Sequence, residues 1–331
     1  MTCVLVTGGA GFIGSHLVER LLGEGHTVRV LDDFSTGRRE NLAAVADHPK
    51  LTVIEGSVTD ATLVASAAEA ADAVYHLAAA VGVKLIVAQP VRTLETNIRG
   101  TETTLAAAAR VGARFFLASS SEVYGKSDRV PFDEDDDLLI GSSRFCRWGY
   151  ACSKAVDEFL AMAYAHEQAL PLVIGRLFNT IGPRQVGQYG MVVPRFVEAA
   201  LRGRPLPVYG TGRQTRTFVD VRDTVEAVCR LMESAGDEPR VCNIGSDREI
   251  AIDELADLVI AATGSTAGKR RFAYEEAYGQ PMDDMMRRLP QISRVRAVVG
   301  RQWPRARLEE SLGRIIDDVR TRLDGEKGRA E

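Results

Sequence analysis

The stretch Thr7-Gly-Gly-Ala-Gly-Phe-Ile-Gly14 decides the fold of this chain. It contains a Gly-x-Gly-x-x-Gly spacing at Gly9, Gly11 and Gly14, and a Gly-x-x-Gly-x-x-Gly spacing that starts at Gly8. A short apolar run precedes it and a helical pattern follows it. Glycines at such a strand-to-helix turn let the backbone approach a pyrophosphate, and the helix N-terminus supplies amide donors. The stretch therefore predicts a dinucleotide site rather than a plain turn.

The same alternation of strand and helix continues over the first two-thirds of the chain. Short apolar runs that end in turn residues predict buried parallel strands, and the amphipathic runs between them predict helices. The predicted strands are 3–7, 27–32, 51–55, 73–77, 114–119 and 172–176. The predicted helices are 14–24, 61–71, 91–111 and 150–170. This alternation predicts an α/β fold with a doubly wound parallel (Rossmann) sheet.

Beyond residue 179 the composition changes, because proline and glycine become frequent and the predicted elements become shorter. We predict a dinucleotide-binding Rossmann domain that includes a Tyr/Lys helix at 1–178. A smaller C-terminal α/β region that binds substrate is predicted at 179–323, and whether it interleaves with the first domain is left open. A charged tail is predicted at 324–331.

Composition excludes several classes of protein. The 331 residues are 26% charged and 45% hydrophobic with a net charge of −4, which is typical of a globular chain. The sequence has no basic stretch that would predict a nucleic-acid partner. It has no apolar run near the roughly 20 residues of a membrane span and no signal-peptide pattern. Five cysteines form no CxxC pair, so we expect no metal site and the reduced thiols of a cytoplasmic protein.

A carboxylate ends the second predicted strand at Asp32, and Asp33 follows it. At this place a carboxylate accepts hydrogen bonds from the adenosine ribose hydroxyls and repels a 2′-phosphate. The pattern favours NAD over NADP. NADP stays the alternative, because Arg38 and Arg39 are close enough in sequence to serve a 2′-phosphate.

Two further motifs carry candidate catalytic groups. Tyr150 and Lys154 are four residues apart in a predicted helix and share one of its faces. A phenol, with a pKa of about 10, is a weak base at neutral pH, and a neighbouring ammonium stabilises its phenolate. Ser120 follows a buried strand, where hydroxyls face the ligand crevice. We expect Ser120 to hydrogen-bond the substrate hydroxyl that Tyr150 deprotonates, although each motif alone is also compatible with surface residues.

Taken in order, these motifs resemble the extended short-chain dehydrogenases/reductases, the group of NAD-dependent nucleotide-sugar epimerases, dehydratases and decarboxylases. The matching segments run through nearly the whole chain: TGGAGFIG at 7–14, LDD at 31–33, YHLAA at 75–79, SSSEVYG at 119–125, YACSK at 150–154, RLFNTIGPR at 176–184 and VYGTGRQTRTFVDVRD at 208–223. The resemblance implies that NAD is surrounded by Gly8, Gly11, Phe12, Ile13, Gly14, Asp32, Asp33, Thr36, Gly37, Ser57, Val58, Leu77, Ala78, Ala79, Asn97, Tyr150 and Lys154. Ser57 departs from the Asp usual in the family, which should weaken or reshape the adenine contact.

Within the family, the residues after Ser120 distinguish the later chemistry. Ser121 stands where dehydratases have an Asp that protonates the leaving hydroxyl, and Glu122 stands where epimerases usually have no acid. Together with Arg147 before Tyr150, this pattern resembles the UDP-glucuronate decarboxylases, including UDP-xylose synthases. It implies oxidation at C4, then loss of CO2 to give a UDP-4-keto-pentose, UDP-xylose or both. A UDP-glucuronate or UDP-glucose 4-epimerase is the alternative, and a non-catalytic NAD-sensing protein is a remote one.

The resemblance also implies roles for individual residues. It implies a catalytic set of Ser120, Glu122, Tyr150, Lys154 and Arg288. It implies contacts to the UDP-sugar from Lys84, Ser121, Asn179, Val193, Tyr209, Arg216 and Arg288. Glu122 would orient a proton donor for C5 or destabilise the sugar carboxylate by like charge, and a structural salt bridge is the alternative. Arg288 would bind either that carboxylate or the phosphates.

The helices at 91–111 and 150–170 have small or apolar residues on two sides. A helix that is apolar on two sides needs a second partner besides the sheet. By resemblance, these two helices pair with their copies in a four-helix interface. We therefore expect a homodimer of two-fold symmetry.

Overall fold

The computed structural model of the protein describes residues 2–187, 190–236, 238–278 and 285–327. The described strands are β1 Cys3–Thr7, β2 Thr27–Asp32, β3 Leu51–Glu55, β4 Ala73–His76, β5 Arg114–Ser120, β6 Leu172–Leu177, β7 Thr180–Ile181, β8 Leu206–Tyr209, β9 Thr215–Thr217, β10 Val219–Asp220, β11 Arg240–Ile244, β12 Glu249–Ala251 and β13 Lys269–Phe272. The described helices are α1 Phe12–Gly23, α2 Ala61–Ala67, α3 Val83–Ala88, α4 Pro90–Val111, α5 Cys146–Gln168, α6 Val192–Leu201, α7 Val221–Glu233, α8 Ile252–Thr263, α9 Tyr274–Tyr278, α10 Ser293–Val299 and α11 Leu308–Lys327.

Seven parallel strands form the central sheet in the order β11-β6-β5-β4-β1-β2-β3. Residues of β1 alternate between its two faces, so that Val4 and Val6 pack with α1 and α7 while Leu5 packs with α2, α4 and α5. Because both faces are covered by helices, the inner strands β1, β4, β5 and β6 are mostly apolar and buried. The predicted doubly wound parallel sheet is confirmed.

The seventh strand, β11, comes from the part of the chain that we predicted to bind substrate. Beyond β6 the chain also forms α7, which packs with α1 against the sheet. The remaining elements build a second core from α6, α8, α11 and β8. The chain therefore returns to the first sheet after it has begun the second core, and the domain boundaries at 178 and 323 stay predictions.

Two helices differ by four residues at one end from their predicted bounds. α5 starts at Cys146, one turn before Tyr150, and α2 ends at Ala67 rather than at residue 71. The end of α2 has a local cause, because Ala70 has a φ of 54° and its backbone has left the helical region. Across the described part of the chain, no helix combines the length and the apolar content that a membrane span requires.

The buried carboxylate of Asp220 ties α7 to α11. It caps α7 by accepting from the Arg222 amide at 2.9 Å, and it accepts from the Ser311 hydroxyl at 2.7 Å and from Arg314. Burial alone would raise the pKa of Asp220, but these hydrogen bonds together lower it. The ionised carboxylate therefore stabilises the fold.

We predict that Asp220→Asn lowers the free energy of unfolding by about 1–3 kcal/mol near neutral pH, because it leaves buried donors with a poorer acceptor. A lowered folded-state pKa contributes stability that is full above the unfolded pKa, about 4, and is lost as the pH falls through the folded pKa. Urea denaturation should therefore give a smaller difference between variant and wild type below about pH 4. The exposed Asp317→Asn on α11 is the control and should change stability by less than about 0.5 kcal/mol. Equal stability of Asp220→Asn and wild type would contradict the prediction.

Candidate active site

A cavity of about 710 Å³ opens where the carboxyl ends of the central strands meet the second core. Ligands of doubly wound sheets bind at this edge. The cavity wall brings together most of the residues predicted from the sequence: Gly8, Gly11, Phe12, Ile13, Gly14, Asp32, Asp33, Thr36, Val58, Leu77, Ala78, Ala79, Ser120, Ser121, Glu122, Tyr150, Lys154, Asn179, Val193, Tyr209, Arg216 and Arg288. Among the described residues, no group of three or more His, Cys, Asp or Glu side chains is arranged to hold a metal ion.

The turn between β1 and α1 has no room for side chains at two of its glycines. Gly8 has a φ of 71°, and a Cβ there would lie 2.7 Å from the Ala78 amide nitrogen. A Cβ on Gly14 would lie 2.1 Å from the Gly8 carbonyl oxygen. The first amides of α1 therefore lie at the cavity with no side chain over them, and they have no intrahelical partner. This cradle fits a dinucleotide pyrophosphate.

Asp32 lines the same cavity, where the sequence predicts the adenosine ribose. Its Oδ2 accepts from the Ala10 amide and its Oδ1 from the Phe34 amide, both at 2.9 Å. Burial raises the pKa of Asp32, and these two amides work against the rise. Each carboxylate oxygen can accept a further hydrogen bond, which fits two ribose hydroxyls.

Arg39, one of the two arginines that kept NADP open, lies elsewhere. It pairs with Glu55 and stacks over the Phe34 ring at 4.3 Å. Arg38 lines the cavity. Of these two arginines, only Arg38 is therefore placed to bind the 2′-phosphate of NADP.

Four predicted contact residues are not on the wall. Gly37 packs behind Asp32, where a Cβ would lie 2.8 Å from Oδ1. The Ser57 hydroxyl bonds the Thr59 hydroxyl at 2.9 Å. Asn97 is buried, accepting from the Ala80 amide at 2.8 Å and donating to Ser153 at 3.1 Å. Lys84 lies in α3, and its side chain is outside the part that the structure describes. Their roles in cofactor or substrate binding stay predictions.

Ser120 and Tyr150 meet at the centre of the cavity. Ser120 ends β5 and caps a short 3₁₀ turn, Ser121–Tyr124, by accepting from the Glu122 amide at 3.3 Å. Tyr150 lies in the first turns of α5, next to Ser120. Burial raises the pKa of Tyr150, and the Ser120 hydroxyl works against the rise. A buried phenol and a hydroxyl that face one cavity can bind and deprotonate a substrate hydroxyl.

An ion-pair cluster lies beside Tyr150. Arg288 Nη2 donates to Glu122 Oε1 at 2.5 Å, and Arg147 Nη2 lies 3.3 Å from Glu122 Oε2. All three side chains line the cavity and are largely buried. Sequence reasoning used Arg147 only as part of a pattern, although its position one turn before Tyr150 already placed it on the same helical face.

The remaining substrate residues line the cavity towards the second core. Asn179 donates to the Thr217 carbonyl at 2.9 Å, and Arg216 is nine-tenths buried. Tyr209 stacks under the Arg195 guanidinium at 4.5 Å. Arg195 was not predicted, because no motif marks it. An arginine on an aromatic ring at this end suits a diphosphate.

Comparisons with known proteins agree with this geometry. Residues 4–245 match the model of the NAD dependent epimerase/dehydratase family. The chain is 39% identical to a UDP-N-acetyl-alpha-D-glucosaminuronate decarboxylase from Bacillus cytotoxicus over 88% of this chain and 90% of that protein. It is 38% identical to UDP-glucuronic acid decarboxylase 1 from Arabidopsis thaliana over 97% of this chain and 70% of that protein.

A solved structure of UDP-glucose 4-epimerase from Thermotoga maritima with UDP-glucose superposes with a TM-score of 0.86 at 29% identity, covering 97% of this chain and 99% of that one. The predicted resemblance to nucleotide-sugar epimerases, dehydratases and decarboxylases is therefore confirmed, and the chain belongs to the NAD dependent epimerase/dehydratase family.

Proposed function

We propose that the protein is an NAD-dependent decarboxylase of UDP-glucuronate that gives a UDP-4-keto-pentose, UDP-xylose or both. The observation that carries the proposal is the contact of Arg288 with Glu122 beside Tyr150. The decarboxylase names of the relatives at 38–39% identity support it. Ser121, at the position of the dehydratase acid, provides no carboxylic acid to expel a C6 hydroxyl.

NAD would be held by the cradle of Gly8 and Gly14 and by Asp32, with Lys154 near the nicotinamide ribose. When bound, NAD accepts a hydride from the sugar and can return it. The residues of the chain perform the proton chemistry: Tyr150 removes the proton from the C4 hydroxyl, and Ser120 hydrogen-bonds the same oxygen. A general base of this kind contributes about 10²–10⁴-fold to the rate.

Oxidation at C4 turns a uronic acid into a β-keto acid. Loss of CO2 then leaves an enolate whose negative charge is on the C4 oxygen, between Tyr150 and Ser120. Hydrogen-bond donors fixed around such an oxygen are worth about 3–4 kcal/mol each. The groups that serve oxidation therefore also stabilise the product of decarboxylation.

Arg288 is suited to the sugar carboxylate. Its side chain lines the cavity, and Glu122 holds its Nη2. A guanidinium has five N–H donors, and a carboxylate is its natural acceptor. Glu122 then lies near the same carboxylate, where like charge would favour departure of CO2 and where it can orient the proton donor for C5.

Two neighbouring activities remain as alternatives. The Bacillus relative favours a 2-acetamido uronate as the sugar, and the Thermotoga structure favours 4-epimerisation of a UDP-sugar. The same cavity would serve all three reactions, because each begins with proton removal at C4. The two decarboxylations both lose C6 and differ in the substituent at C2 of the sugar, whereas the epimerisation keeps C6.

A cytoplasmic location belongs to the proposal as well, because the five cysteines are all free thiols.

We also propose that the protein is a homodimer. On α5, Val156, Phe159 and Met162 are 39%, 71% and 38% exposed, and Val91 at the start of α4 is 67% exposed. These side chains form an apolar stripe that a second copy would cover.

We predict that Phe159→Glu converts a dimer into a monomer, because it buries a charge in an apolar interface. Sedimentation at micromolar protein should give twice the chain mass for wild type and the chain mass for the variant. Asp317→Asn, exposed on α11 and outside α4 and α5, serves as the control and should leave the mass at the wild-type value. A wild-type monomer would refute the proposed interface.

We predict that Tyr150→Phe lowers NADH formation and CO2 release together, by about 10²–10⁴-fold, because it removes the base of the shared first step.

Glu122→Gln keeps the size of the side chain and removes its charge. CO2 release from UDP-glucuronate should then fall more than the NADH absorbance signal, and Asp317→Asn, exposed on α11, should change neither.

Unchanged CO2 release in Glu122→Gln would make Glu122 a structural residue, whereas absence of CO2 release by the wild type, with UDP-galacturonate formed instead, would favour the epimerase. Loss of both signals in this variant, with NAD still bound, would mean that Glu122 acts before hydride transfer.

A further inference from the structure

A second buried ion pair, separate from the Glu122 cluster, lies on the helix that carries Tyr150. Lys154 Nζ donates to Asp157 Oδ2 at 3.1 Å, and the two side chains are 2% and 0% exposed. Asp157 follows Lys154 by three residues and Tyr150 by seven, so all three lie on one face of α5. Among the described residues, Asp157 is the acidic residue that forms an ion pair with Lys154.

The surroundings of this pair contain few other charges. Burial raises the pKa of Asp157, whereas Lys154 and a hydrogen bond with Thr101 of α4 lower it. From β4, His76 faces Lys154, but burial lowers the pKa of His76 to about 3 and it is neutral. Its ring lies between the hydroxyls of Thr7 at 2.8 Å and Thr101 at 3.2 Å.

Besides burial, Tyr150 itself is affected by charges on its own helix and on two other parts of the chain. Glu122 on the 3₁₀ turn and Asp157 on α5 both raise its pKa, and Arg288 lowers it. Glu158, next to Asp157, is paired with Arg176 of β6. Of these groups, Asp157 is the one that contacts the lysine on which the phenolate depends.

We propose that Asp157 is a positioning residue that holds the Lys154 ammonium and limits how strongly it stabilises the Tyr150 phenolate. The proposal rests on the proposed role of Tyr150 as the base. A lysine ammonium has three N–H bonds, and Asp157 takes one of them. The position of Nζ is thereby fixed before the cofactor ribose binds.

A limited stabilisation suits a tyrosine with two tasks. Tyr150 takes a proton from the C4 hydroxyl and must give one back if the ketone is reduced. A group that acts in both directions works best when its pKa is near the working pH. An unopposed ammonium would favour the phenolate and slow the return of the proton.

The test is the pH dependence of NADH formation in the first turnover by the NAD-loaded enzyme with UDP-glucuronate. Asp157→Asn removes the negative charge and leaves the ammonium unopposed, so the limb in which the rate rises with pH should move to lower pH by about one unit, which is about tenfold more phenolate below the midpoint. Asp157→Glu keeps the charge and should keep the wild-type limb. Asp317→Asn, exposed on α11, should do likewise.

A second measurement needs no substrate, so it separates this proposal from the proposed function. The phenolate absorbance of Tyr150 is titrated as the difference between each NAD-loaded protein and the same protein with Tyr150→Phe. The pH midpoint of this titration should be lower in Asp157→Asn than in wild type, and it should equal the wild-type value in Asp157→Glu. If Asp157→Asn does not fold, Asp157→Ser is used for the same comparison.

The proposal would be overturned if, in Asp157→Asn, the rising limb of the rate and the midpoint of the phenolate titration stayed at the wild-type pH or moved to higher pH. An equal loss of rate at every pH, which is what a purely structural residue would give, would also overturn it. If the midpoint falls but no variant or wild type forms NADH with UDP-glucuronate, the substrate assignment fails and the role of Asp157 stands.

Discussion

The catalytic geometry depends on the buried ion pair between Glu158 of α5 and Arg176 of β6. Arg176 donates to Glu158 through Nε at 3.0 Å and Nη2 at 2.8 Å, Ser119 of β5 donates to the same carboxylate, and the guanidinium stacks on Tyr124 at 4.8 Å. One carboxylate thus joins α5 to two neighbouring strands. Removing one partner of such a pair costs about 3–5 kcal/mol. It fixes the distance between the helix that carries Tyr150 and the strand that carries Ser120.

The active site next to this ion pair contains charged side chains, whose burial costs free energy. Lys154, Glu122 and Arg288 are each nearly enclosed, and each is stabilised by a partner of opposite charge. Buried charges keep their full effect on a reaction, because little water screens them. Two charged clusters therefore lie near Tyr150: Glu122 with Arg147 and Arg288, and Lys154 with Asp157. The first cluster is proposed to act on the sugar carboxylate, and the second is proposed to control Tyr150 as the base.

Local signals explain what the sequence predicted and what it missed. The glycine turn, six strands and the Tyr150–Lys154 face follow from short-range rules of period and spacing. β11 was missed as a sheet strand, because its pairing with β6 is a long-range choice that apolar pattern alone does not determine. The contact between Glu122 and Arg288 joins residues 166 positions apart, so the sequence left the role of Arg288 open. Ser57 and Asn97 were placed by resemblance, and in the fold their side chains bond within the chain.

The central claim is that oxidation at C4 leads to loss of C6. The most direct test follows UDP-glucuronate labelled with ¹³C at C6 by NMR in deuterated water, with the enzyme and NAD. The account predicts that the label leaves as CO2 and bicarbonate and that the UDP-pentose formed carries deuterium at C5. UDP-galacturonate that retains the label would contradict the account and establish a 4-epimerase. Release of the label only from the 2-acetamido uronate would keep the chemistry and correct the sugar.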